Sequence, residues 1–147
     1  MVGRKYEKLI QRQPWGTPDP DNPDPNAPAY IAVNHDGMAE GWDDPFVQVL
    51  RPVLKPLLMI EEPHTHDCAE YLYFIGGNPM DFTDFGAEIE LTIGVGDDAE
   101  TYTIDSTTWV YIPKGVPHCP LNFKRVDKPI MFGMVMFARG FSPGSHD

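Results

Sequence analysis

From Tyr30 onward, apolar and polar residues alternate over short runs that are interrupted by turn signals every several positions. This is the period of a strand, not of a helix, and it predicts an all-β domain. Candidate strands run from Phe46 to Arg51, Leu57 to His66, Glu70 to Ile75, Glu88 to Gly94, Glu100 to Ile104, Trp109 to Ile112, His118 to Lys124 and Ile130 to Ala138. Glu88, Glu90 and Thr92 alternate with Ile89, Leu91 and Ile93, which gives that strand one wet face and one core face. The segment Gly94-Val95-Gly96-Asp97-Asp98 then reads as a hairpin turn. No stretch carries a helical stripe. The last strand is apolar on both faces, as expected when one side lines a core and the other is covered.

The amino-terminal part is different. Its first dozen residues are polar enough for a short helix or an ordered arm. From Pro14 to Pro28, six prolines and three aspartates fall within fifteen residues. Proline cannot donate to a ladder, so this stretch is an extended loop or wrapping arm, packed on its own domain or crossing to a second copy.

The candidate chemistry sits in Pro63-His64-Thr65-His66-Asp67-Cys68-Ala69-Glu70. Side chains alternate along an extended strand, so His64 and His66 project to one side and can hold one ion between them. Glu70 can complete the set if the chain re-enters the same sheet. A second stretch runs from Pro113 to Asn122. There a tight turn at Pro113 and Gly115 delivers His118 onto a new strand, with Asn122 on the same face if that strand is unbroken.

Together the two stretches resemble the paired motifs of the cupin superfamily. His64, His66, Glu70 and Gly77 match the first at the required spacing, and Pro113, Gly115, His118 and Asn122 match the second. The opening glycine of each motif is replaced, by Leu58 and Thr107. The resemblance implies a single-domain jelly-roll (double-stranded β-helix) barrel over residues 45–140, preceded by an arm over 1–44 and followed by a tail over 141–147. It also implies one divalent transition metal (iron, manganese, nickel, copper, cobalt or zinc) held by His64, His66, Glu70 and His118.

Length and charge narrow the rest. At 147 residues the chain is one domain. A net charge of −11 disfavours nucleic acid. No apolar run approaches a membrane span, and the start lacks a signal-peptide core, which points to the cytoplasm. Two cysteines, Cys68 and Cys119, are too few for a disulfide framework. Cys119 has the opposite parity to His118 and is expected to point away from an ion there. Between Gln13 and Pro113 only Arg51 and Lys55 are basic, whereas Lys114, Lys124, Arg125 and Lys128 cluster near the second motif. That cluster is either an attractor for an anionic substrate or an ordinary solvated strand end.

With Glu70 inward, Leu72 and Phe74 also face the core. Tyr71, Tyr73 and Ile75 then face outward and ask for a covering surface, supplied by a homodimer partner or by the arm. Phe74, Phe82, Phe85, Trp109, Phe132, Met134 and Met136 are candidate walls of an apolar pocket. His35 and His146 fall in loop and tail sequence and are expected to be exposed.

Three neutral imidazoles and one carboxylate leave an ion with a charge near +1 and open positions, the mark of a catalytic site. The expectation leans toward an enzyme acting on a small oxygenated molecule, with a slight preference for oxygen-dependent, dioxygenase-like chemistry. A redox-inert lyase, isomerase or decarboxylase, or a non-catalytic binding protein, stays open beside it. Inward acid or base groups are scarce in the sequence, and Tyr111, Asp67 and Glu62 are the groups able to approach, Tyr111 being the tentative catalytic residue.

Overall fold

The computed structural model describes residues 3–16, 21, 24–27, 29–33 and 42–138. His35, His146 and the tail over 141–147 lie outside these. Ten strands form two antiparallel sheets. They are β1 (Trp15–Gly16), β2 (Tyr30–Val33), β3 (Val47–Val53), β4 (Leu57–Ile60), β5 (Glu70–Gly76), β6 (Ala87–Ile93), β7 (Glu100–Ile104), β8 (Thr108–Ile112), β9 (His118–Val126) and β10 (Ile130–Met136). One sheet has the order β1-β2-β3-β10-β5-β8 and the other β4-β9-β6-β7. The remaining regular structure described is two single turns of 3-10 helix, at Glu7–Leu9 and Gly96–Asp98.

The eight strands expected from periodicity are all present, with ends shifted by a few residues. The largest change is in the second, which stops at Ile60 and leaves the histidine pair in a separate extended segment. Alternation breaks there because Glu61, Glu62 and Pro63 are all exposed. Two strands were not expected. β1 and β2 come from the proline-rich arm, and β2 pairs with β3, so this part of the arm extends the larger sheet at its edge. The arm is further tied down where the Leu54 amide donates to the Asn26 carbonyl at 2.7 Å.

The core lies between the sheets. Phe74 of β5, Phe123 of β9 and Phe132 of β10 meet there with ring centroids 5.2 to 6.3 Å apart. Leu72, Ile89, Leu91, Leu121 and Met136 fill the space around them. Each large side chain so buried contributes on the order of 1.5–3 kcal/mol. β6 shows the expected alternation, with Ile89 and Leu91 buried and Glu88 and Glu90 half-exposed.

On the outer face of β5 one expectation is corrected. Tyr73 points outward yet is buried. It stacks on Trp109 with centroids 4.6 Å apart, its hydroxyl accepts from Gln48 Nε2 at 2.6 Å, and its ring lies over Gly133, where the missing side chain leaves room.

Candidate metal centre

The two histidine stretches meet through the backbone. His64 and His118 form an isolated antiparallel bridge in which each amide donates to the other's carbonyl at 3.1 Å. The Gly115 amide donates to the His66 carbonyl at 3.1 Å, so the turn before His118 is fastened to the first stretch as well. That turn closes with Val116 donating to Pro113, and Gly115 sits at φ 78°, a conformation that favours glycine. Glu70 opens β5, immediately beyond the connection from His66.

His66, Glu70 and His118 are 3 %, 4 % and 1 % exposed, and His64 is half-buried. The imidazole nitrogens of His64, His66 and His118 that can ligate lie within 4.8 Å of one another. Glu70 Oε1 stands 3.0 Å from His118 Nε2 and 3.7 Å from His66 Nε2. Two nitrogens about 2.1 Å from one ion can be no more than about 4.2 Å apart, so small ring rotations close the triad onto an ion. The donor set therefore fits a divalent transition metal.

Tautomers follow from the carbonyls nearby. His118 Nδ1 lies 3.0 Å from the Val116 carbonyl and His64 Nδ1 lies 3.2 Å from the Glu62 carbonyl. A carbonyl only accepts, so in both rings Nδ1 carries the proton and Nε2 is the nitrogen that could ligate. Burial pulls the His118 pKa down, but the hydrogen bonds to Glu70 and Val116 outweigh it and hold the group above its ordinary value.

A cavity of about 220 Å³ opens beside this cluster. His64, Glu70 and His118 form its polar end, and Val49, Met59, Ile60, Leu72, Leu121, Phe132 and Met134 form apolar walls. Of the expected wall residues, Phe132 and Met134 line it. Phe74 and Met136 belong to the core, and Phe85 packs against the core. Phe82 and Trp109 are exposed and lie elsewhere.

Tyr111 is not brought to the site. It pairs with Tyr71 across β8 and β5, is 57 % exposed, and faces away from Glu70 because it is one residue out of phase with Ile112, Glu70's cross-strand partner. Asp67 and Glu62 are exposed and do not line the cavity.

The parity expected for the second stretch is also corrected. Cys119 lines the cavity beside His118 instead of pointing away, and Asn122 turns out of the core. The cause is local. Cys119 has φ 85°, and the β6–β9 register shifts between Leu91 and Ile93, so two-residue alternation is lost just after His118. Burial first, and the Glu70 charge second, push the Cys119 thiol up to about 12. Burial, then Glu70 and Asp67, push Cys68 up too.

The basic cluster near the second motif does not line the cavity. Lys124 pairs with Glu88 and Glu90, Arg125 with Asp127 and Lys128 with Asp84, all at the surface. Arg51, which sequence reasoning passed over as a candidate, lines the cavity instead. Its signal was legible: positions 47, 49, 51 and 53 form one face of β3 and read Val, Val, Arg, Val.

No protein-family model and no curated protein sequence matches the chain. Solved structures do resemble it. A mutant of Bacillus subtilis oxalate decarboxylase aligns with a TM-score of 0.55 at 16% identity, over 81% of this chain and 28% of the decarboxylase. A second structure of that enzyme, studied for its Mn(II) centres, aligns with a TM-score of 0.54 at 18% identity, over 84% and 29%. Hydroxypropylphosphonic acid epoxidase from S. wedmorenis aligns with a TM-score of 0.46 at 15% identity, over 63% and 44%. The chain spans less than half the length of the epoxidase and less than a third of the decarboxylase. With two antiparallel sheets and the decarboxylase alignment, the chain has the cupin fold.

Proposed function

We infer that this protein is a metal-dependent enzyme acting on a small oxygenated molecule, with His64, His66, Glu70 and His118 as ligands of one divalent transition metal. The observation that carries the reading is the convergence of three imidazoles and a buried carboxylate beside a largely apolar cavity. A metal bound there supplies Lewis acidity, and redox chemistry if the ion is redox-active.

The chain's own groups do the rest. Glu70 offsets one positive charge of the ion and orients His118. Leu72, Leu121, Phe132 and Met134 exclude water from the side of the cluster. Besides the cluster, the described lining residues include two titratable groups, Arg51 and Cys119. Neither is a proton shuttle at neutral pH, since one stays charged and the other stays a thiol. Chemistry that needs a separate positioned acid or base is correspondingly less well served, which favours an oxygen-dependent reaction over lyase, isomerase or decarboxylase routes. Both cysteines are free thiols, in keeping with a reducing cytoplasm. The exposed aromatic face of β5 and β8 suits a homodimer.

Elemental analysis of untagged protein purified without added metal, followed by oxygen uptake with enediol and phenolic substrates, tests the reading. Near-stoichiometric iron, manganese, nickel or copper with repeated turnover is expected. Zinc alone, with lyase or isomerase activity, overturns the oxidative part. No metal even after reloading overturns the whole.

A further inference from the structure

Arg51 occupies a place where an arginine is costly. Val47 and Val53 on the same face of β3 are fully buried, and Val49 lines the cavity with it. Arg51 is half-buried, and even partial burial of a guanidinium among valines is unfavourable unless charge and hydrogen bonds compensate. Among the described residues compensation is partial. Arg51 Nε and Nη2 donate to one acceptor, the Ala27 carbonyl, at 3.1 and 2.7 Å. Asp24 is the acidic group near enough to act on it, but at a distance, and its own Oδ1 accepts from the Asn26 amide. Among the described residues no carboxylate forms an ion pair with Arg51.

The geometry of the fork then matters. A guanidinium has five N–H donors. Nε and Nη2 together are its lateral edge, which Ala27 occupies. The terminal edge, where Nη1 and Nη2 each present one N–H in parallel, has no acceptor among the described residues, and such an edge matches a planar carboxylate in bidentate fashion. Phe132 pairs with Arg51 on one side and Phe74 on the other, whereas Met136 pairs with Val47 and Glu70. Arg51 is thus four residues along the sheet from the Glu70 level, about 13 Å of strand before the reach of both side chains is subtracted. The cavity has two polar poles and an apolar middle, and its 220 Å³ lies below the range of drug-sized pockets, about 300 Å³ upward.

We propose that Arg51 anchors the carboxylate of a small acid whose other end carries the oxygens presented to the histidine cluster. This deepens the metal-dependent reading and rests on it for the identity of the second pole. The substrate class becomes an oxo-, hydroxy- or phenolic acid, and the specificity-determining contact comes from β3, outside both histidine stretches.

The test uses two probes of nearly equal shape, 3,4-dihydroxybenzoate and 3,4-dihydroxybenzamide, titrated by calorimetry into zinc-loaded and metal-free full-length protein. The parent should favour the acid by about 10- to 100-fold, the span of a charge-assisted pair. Arg51→Gln should erase that preference, lowering affinity for the acid more than for the amide with zinc content unchanged, and Arg51→Lys should restore part of it. Circular dichroism of each variant checks that the arm held through Ala27 has not taken the fold with it. If the parent binds acid and amide equally in both forms, or Arg51→Gln keeps the preference, Arg51 is only an anchor for the arm and the proposal fails. Failure to hold zinc instead overturns the metal reading, and the acid preference in the metal-free protein still decides the proposal.

Discussion

His64 and His118 exchange both of their main-chain hydrogen bonds, at 3.1 Å each, and their rings lie 4.4 Å apart. Two segments more than fifty residues apart in sequence are therefore joined at the proposed ligands themselves, by backbone and not by side chains. The cluster is positioned by the fold before any ion is considered. Removing one imidazole leaves the bridge intact.

His66 is the histidine of the three that lies outside this bridge and is fully buried. His66→Ala is expected to weaken metal binding by at least about 100-fold, more than the 10- to 100-fold lost when groups that merely support a ligand are removed. Its far-ultraviolet spectrum and oligomeric state should match the parent. A variant that retains metal as tightly as the parent, by elemental analysis after dialysis, would show that the ligands have been misassigned.

Gly133 makes a prediction about the outer face. A Cβ at this position would stand 2.2 to 2.4 Å from the Tyr73 ring, and that ring is held by Trp109 and Gln48. Gly133→Ala should cost about 1–3 kcal/mol, the usual range for overpacking. Urea unfolding measures it, and Tyr73→Leu in the same chain should recover part of the loss. Equal stability of parent and Gly133→Ala would mean that the ring moves aside freely.

These residues also show how far the sequence could be read. β6 was legible because Ala87 to Leu91 alternate between buried and half-exposed, as a half-buried sheet imposes. That His64, His66, Glu70 and His118 come together was legible because the histidine and glutamate spacing survives even where the strand breaks at Glu61. What could not be read depended on events that alternation does not encode. The positive φ of Cys119 and the β6–β9 register shift reverse the parity of everything after His118, which put Cys119 in the cavity and took Asn122 out of it. β2 was hidden because its four residues gain their partner, β3, across the sheet and not from their own pattern. Arg51 was visible in the valine row, but its meaning depends on which strand faces His64, and that is tertiary information.

Asp84 supplies a dependence on pH. Hydrogen bonds from Lys128 Nζ, at 3.0 and 3.2 Å, and from Asn78 hold its carboxylate below the usual range. A depressed folded-state pKa stabilises the protein above the unfolded value, about pH 4, and this contribution disappears as pH falls through the lowered folded value. The stability difference between the parent and Asp84→Asn should therefore be constant from neutral pH to about pH 4 and shrink below it. Urea unfolding at a series of pH values measures this. A difference that persists undiminished in acid would assign the effect to packing rather than to charge.

The aromatic face decides between the arm and a second copy as the cover for β5 and β8. The described part of the arm joins the sheet at the opposite edge, through β2 and β3, and leaves Trp109, Tyr111 and Phe137 exposed. Tyr71 lies among them, with ring centroids 5.2 Å from Tyr111 and 6.2 Å from Phe137. Large aromatic rings of this kind are enriched where proteins associate, and a contiguous patch is rare on a monomer. The expected outcome is a dimer by light scattering at micromolar concentration, with Tyr111→Lys shifting the population toward monomer and leaving metal content unchanged. Tyr111 is the residue to change because it is exposed, so the variant should fold as the parent does. A parent that stays monomeric at high concentration removes the homodimer from the proposed function. It would leave the aromatic face without a role and the metal centre untouched.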